Sequence, residues 1–169
     1  MRIKDFYFKF ILFLVAQIIV WVYFNFSQFL MIAILPAMIL AIPVRHGTIL
    51  SMIIAFFLGF LVDFLTSGML GLTSLALVAV AFVRIPILRL AFGNELFSRG
   101  GNISTENSGY MKTFFGILLA TLVFVLIYVW ADGAGTRPFW FNAVKVLISL
   151  VASTLISIPV VNFLSDNGK

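Results

Sequence analysis

The chain has 169 residues, 63% of them hydrophobic and 10% charged, where a soluble domain carries roughly 25% charged residues. Apolar runs recur along nearly its whole length and leave no room for a separate soluble domain, so 1–169 reads as a single membrane domain. The net charge of +5 sits at the ends of apolar runs rather than on a polar face, which argues against nucleic acid as a partner, and the lack of cysteine excludes disulfides, thiolate catalysis and cysteine metal sites.

A helix rises about 1.5 Å per residue, so a bilayer core asks for about 20 apolar residues. Six segments come close. The first, 6–26, opens among Arg2, Lys4, Asp5 and Lys9 like a signal peptide, but it is too long and has no small-residue cleavage site, so it is expected to stay as a helix. Its aromatic residues Tyr7, Trp21 and Tyr23 suit the headgroup belts at either end. The second, 29–44, is short and contains Pro36, which predicts a kinked or tilted span.

The third segment, 49–65, ends at Thr66, Ser67 and Gly68, and the fourth runs over 69–92, so the two form an antiparallel hairpin. The fifth spans 114–130 and the sixth 139–164, joined by a polar stretch that includes Asp132 and Arg137. Between the fourth and fifth lies the longest loop, 93–111, whose Gly100, Gly101, Asn102, Ser104, Asn107 and Gly109 have the composition of a flexible linker.

Six crossings sort the cations by side. Arg2, Lys4, Lys9, Arg45, Arg84, Arg89, Arg99, Lys112 and Lys169 fall with the N-terminus, and the opposite loops offer only Arg137. Positive-inside bias then predicts an all-α polytopic protein with both termini in the cytoplasm.

The most informative polar residue is Asp63, because a carboxylate in an apolar helix is costly and is a functional hypothesis by default. Ser51, Ala55, Gly59 and Asp63 recur every four residues and make a ridge of small side chains on which another helix can pack. The sixth segment repeats the pattern with Lys145, Ser149, Ser153 and Ser157, one turn after Asn142. Asp63 and Lys145 both fall near the outer ends of their helices, so the expectation is that these two ridges pack together and that the two charges pair or share a polar network. Two plainer readings stand beside it: Asp63 hydrogen-bonds the turn after it, and Lys145 snorkels to the outer headgroups. Arg84 is excluded as a partner of Asp63, since it lies about 15 residues beyond the turn and so roughly 20 Å deeper.

Other polar positions carry less. Gln17 reads as an interhelical hydrogen-bonding group. Arg45, Arg84 and Arg89 read as cytoplasmic-interface residues that anchor helix ends, hold lipid phosphates or dock a partner. His46 is the single histidine, which leaves no metal-ligand set. No nucleophile with an adjacent base, no phosphate-binding glycine loop and no paired carboxylates occur, so neither an enzyme nor a cofactor is expected.

The stretch from Gly59 through Asp63 and Thr66, Ser67, Gly68 to Gly71 and Leu72 resembles the signature segment of the MreD family, the rod shape-determining inner-membrane proteins of bacteria. Gly59, Asp63, Gly68 and Gly71 match its pattern of a glycine, an aspartate one turn later, a small-residue turn and a glycine opening the next helix. Chain length, six apolar runs and a basic N-terminus are similar too, while the extended loop after the fourth segment departs from the family's more compact pattern. The resemblance implies a non-catalytic scaffold subunit of the elongasome in the bacterial inner membrane, associating with an MreC-like protein and indirectly with MreB, RodA and a penicillin-binding transpeptidase. The alternative is transport. A vitamin-binding S-component of an energy-coupling-factor transporter has similar size and helix number, but the first segment lacks the spaced alanines such proteins use for docking. An ion or proton pathway through Asp63 ranks last, because its ridge continues through Ala55 and Gly59.

Overall fold

Inside a bilayer, backbone polar groups find no water, so a spanning chain must satisfy them internally, and a helix does this locally. The computed structural model describes residues 3–24, 32–42, 47–66, 70–93, 109–133 and 139–165, and among them every regular element is a helix. The order is α1 (Ile3–Phe24), α2 (Leu35–Ala41), α3 (Thr48–Thr66), α4 (Leu72–Phe92), α5 (Tyr110–Gly133) and α6 (Phe139–Ser165). Four of these, α3 to α6, are long and apolar enough to cross a membrane. α1 also carries an apolar helical stretch over Lys9–Val22.

The long helices pack as antiparallel neighbours in chain order, α3 on α4, α4 on α5 and α5 on α6. Small residues set each approach. A side chain on Gly59 in α3 would collide with the backbone of Thr73 and Ser74 at the start of α4. Gly116 of α5 faces Ala91 and Phe92 of α4 at the other end of the bundle, while Gly133, at the opposite end of α5 from Gly116, meets Asn142 of α6. Exposed side chains on the outer faces are large and apolar, including Phe57 and Phe64 on α3, Phe82 on α4 and Leu147 and Leu155 on α6, as lipid contact requires.

The second segment departs most from expectation. Instead of a kinked span over 29–44, the described part is the seven-residue α2 preceded by non-helical Ile32, Ala33 and Ile34. Seven residues cover about 10 Å, a third of a bilayer core. Pro36 falls in the first turn of α2, where its missing N–H has no partner to lose, so it opens a helix rather than bending one. Every residue from Ala33 to Ile42 is buried, with α2 packed among α1, α4, α5 and α6. Residues 25–31 and 43–46, the loop 94–108 and the segment 134–138 lie outside the described residues, and with them Gly68, Arg45, His46, Arg99 and Arg137.

Candidate functional site

Asp63 stands one turn before the end of α3 and is fully buried. Its carboxylate accepts hydrogen bonds from the backbone N–H groups of Gly71 at 2.9 Å, of Thr73 at 3.0 and 3.1 Å to its two oxygens, and of Ser74 at 3.4 Å. These donors are the first turn of α4, whose N–H groups have no partner within the helix. Asp63 is therefore a cap supplied from a neighbouring helix, and the positive end of α4 offsets its charge. Gly71 occupies the cap position itself in the left-handed conformation, φ 98°, which glycine adopts without steric cost.

The remaining small residues serve the same contact. The Gly59 hydrogen takes up the space where a Cβ would lie 2.4 Å from Ser74 Cα, and one turn earlier the Ser74 hydroxyl donates to the Phe56 carbonyl at 3.3 Å. Further down the ridge, Ser51 accepts a hydrogen bond from Arg84 of α4 at 3.2 Å. The ridge Ser51, Ala55, Gly59 and Asp63 is buried throughout, as its spacing predicts. Its partner is α4 rather than α6. The reason is chain connectivity: a short turn delivers α4 directly onto the small-residue face, and the α4 N-terminus brings the donors that the carboxylate needs.

Lys145 does not pair with Asp63. Its ammonium lies 3.2 Å from the carboxylate of Asp132, in the last turn of α5. The side chains are 10% and 20% exposed respectively, and a carboxylate rather than a lipid headgroup receives the Lys145 ammonium. Asp132 does not lie in a solvated connection, as its polar surroundings in the sequence suggest; α5 continues to Gly133 and carries it into the bundle.

Arg84 also departs from its expected place. It is only 1% exposed, not a snorkelling anchor. Besides Ser51, its guanidinium donates to the carbonyls of Leu40 at 3.5 Å and of Ile42, both at the C-terminal end of α2. Those carbonyls have no partner within the helix, and a cation there also meets the negative end of the helix dipole. The planar fork of arginine bridges several acceptors at once, which lysine cannot do. Arg89, in the last turn of α4, is exposed.

The N-terminal end of α2 is held equally fully. Gln17 of α1 donates through Nε2 to the Ile32 carbonyl at 2.9 Å and accepts through Oε1 from the Ile34 N–H at 2.6 Å. Trp21 donates its indole N–H to the same carbonyl at 2.8 Å, and its ring meets Tyr128 edge-on, so this tryptophan is an interior clamp rather than a belt residue. The Ser153 hydroxyl of α6 accepts from the Ala33 N–H at 2.9 Å. Gln17 fulfils its expected role as an interhelical hydrogen-bonding group. That its partner is broken backbone is not legible in the sequence, because no local feature marks residues 32–34 as non-helical.

Among the described residues the protein is all-helical, with four helices long and apolar enough to span a membrane, and Asp63, Gln17 and Arg84 close hydrogen bonds left open by the ends of α4 and α2. Among the described residues no group of three or more histidine, cysteine or acidic side chains is placed to hold a metal. Comparison with protein-family models, with curated proteins and with solved structures finds no match to this chain.

Proposed function

We propose that the chain is a non-catalytic scaffold subunit of the elongasome, similar in role to the MreD proteins, and that it acts in the bacterial inner membrane by binding an MreC-like protein. Through that partner it connects indirectly to MreB, RodA and a penicillin-binding transpeptidase, guiding lateral peptidoglycan synthesis and rod shape. In this reading α1 and the second segment complete six spans, with both termini cytoplasmic.

The observation that supports the reading is how the Gly59, Asp63 and Gly71 pattern is used. All three serve the α3–α4 hairpin, and the carboxylate is consumed by four backbone contacts. A pattern that fixes a helix pair and leaves no group free to bind a substrate suits a subunit whose product is a shaped surface. The same saturation counts against a transport path through Asp63, and at the broken backbone of Ile32 to Ile34, which in a transporter would offer groups to an ion, the Ile32 carbonyl and the Ala33 and Ile34 N–H groups are taken by Gln17, Trp21 and Ser153.

The test is depletion of this chain in its native host, with affinity purification of the full-length protein from the membrane. Loss of rod shape together with co-purification of an MreC-like protein is the expected result. Unchanged cell shape, or a vitamin retained tightly by the purified protein, would overturn the proposal in favour of the transport class.

A further inference from the structure

We propose that Trp130 and Trp140 bind the phospholipid headgroup layer and fix the α5–α6 end of the bundle at one membrane surface. An indole joins a flat apolar ring to an N–H that asks for an acceptor, so tryptophan is enriched where hydrocarbon meets headgroups. The chain has three tryptophans. Trp21 spends its N–H inside the protein, on the Ile32 carbonyl. Trp130, near the end of α5, and Trp140, at the start of α6, are instead 81% and 80% exposed.

The two rings fall within one thin band. Gly133 and Asn142 meet across the antiparallel pair, and so mark a common level on α5 and α6. Trp130 comes three residues before Gly133, about 4.5 Å toward the middle of the bundle, and Trp140 comes two residues before Asn142, about 3 Å the other way. The indoles therefore sit about 7–8 Å apart along the helix axes. A bilayer with a hydrocarbon core of about 30 Å and a total thickness of about 40–45 Å has headgroup layers of about 5–8 Å on each side. The band has the depth of one such layer.

The rest of the surface fixes the opposite boundary. Among the described residues, every exposed side chain on α5 between Lys112 and Trp130, and on α6 from Trp140 to Val161, is apolar, Phe115, Leu126, Leu147 and Leu155 among them. No polar group there draws the water boundary closer to the middle. Twenty residues before Trp130, or about 30 Å of helix, Tyr110 stands exposed two residues from the exposed Lys112. That distance is the thickness of the hydrocarbon core, and a tyrosine with a cation is a headgroup pairing. The match favours lipid over a second protein as the occupant, because a protein-docking patch has no reason to lie one core thickness from an interfacial tyrosine on the same helix. α5 and α6 thus carry the aromatic belt, while Trp21 of α1 faces inward. In the orientation proposed above, the tryptophan end is the outer one; the lipid contact itself does not depend on the scaffold role.

Fluorescence quenching of the full-length protein in vesicles of phosphatidylcholine and phosphatidylglycerol tests this, with the phosphatidylcholine brominated either close to the glycerol or at the chain ends. The emission of the two rings is the difference between the parent and a Trp130→Phe, Trp140→Phe double variant, which keeps Trp21 as its internal reference. Quenching of that difference is expected to be several-fold stronger with the shallow bromines than with the deep ones. Equal or stronger quenching by the deep bromines would place the rings in hydrocarbon, and no quenching by either would place them in water or under another protein; each result overturns the proposal. Fluorine NMR of the unsubstituted protein labelled with fluorotryptophan decides the matter even if the variant does not fold. Two of the three signals should then broaden more with headgroup spin labels than with chain-end labels, and fewer than two would refute the contact.

Discussion

Replacing Gly59 with alanine adds one methyl group at the tightest point of the α3–α4 contact. Its Cβ would stand 2.4 Å from Ser74 Cα, 2.6 Å from Ser74 N and 2.9 Å from Thr73 C. All three are backbone atoms that no rotamer change can move, and carbon–carbon contact needs about 3.5–4.0 Å. The helices must therefore separate by about 1 Å or more there, and the carboxylate contacts one turn away, now 2.9–3.4 Å, would lengthen past hydrogen-bonding range. Overpacking costs about 1–3 kcal/mol, and loss of a bond to a charged group about 1.5–3 kcal/mol. Since the helices relax partly rather than fully, the expected destabilisation is about 3–5 kcal/mol. Reversible unfolding of the full-length protein in lipid bicelles measures it, with Gly47→Ala as a control, because a side chain there meets nothing within 4 Å. Asp63→Asn is expected to couple to Gly59→Ala, so that the double variant loses less than the sum of the two. A Gly59→Ala protein within about 0.5 kcal/mol of the parent, the usual range for a substitution that touches nothing, would refute the close approach of α3 to α4.

Other consequences are open to the same assay. Arg84→Met leaves the Leu40 and Ile42 carbonyls without a donor, and a loss of about 2–4 kcal/mol is expected from two stranded acceptors; Arg84→Lys should restore only part of it, because an ammonium lacks the bridging fork. Gln17→Leu orphans the Ile34 N–H while Trp21 still serves the Ile32 carbonyl, which predicts a loss of about 1–3 kcal/mol, and infrared or hydrogen-exchange readout should show the opening confined to α2. A double-mutant cycle of Asp132→Asn and Lys145→Met is expected to return a coupling of about 1 kcal/mol, the range for a partly screened pair, whereas a cycle of Asp63→Asn with Lys145→Met should return none.

The sequence alone determined the properties that a segment carries in one dimension. Hydropathy and length marked α3 to α6 as membrane helices, because transfer to lipid depends on summed side-chain polarity and not on neighbours. Four-residue spacing marked the buried faces of α3 and α6, and Ser51, Ala55, Gly59, Asp63, Ser149, Ser153 and Ser157 are all buried, since helical periodicity fixes which residues share a face. Two small-residue ridges, however, say nothing about which surface each will meet. Tertiary structure assigned the α3 ridge to α4, where a short turn and the unpaired amides of a helix start awaited Asp63. It turned Arg84 inward, because the end of α2 presents carbonyls that need a donor inside the bundle. And it made a seven-residue helix of the second segment, a choice that local propensity did not dictate and that Gln17, Trp21, Ser153 and Arg84 sustain from three other helices.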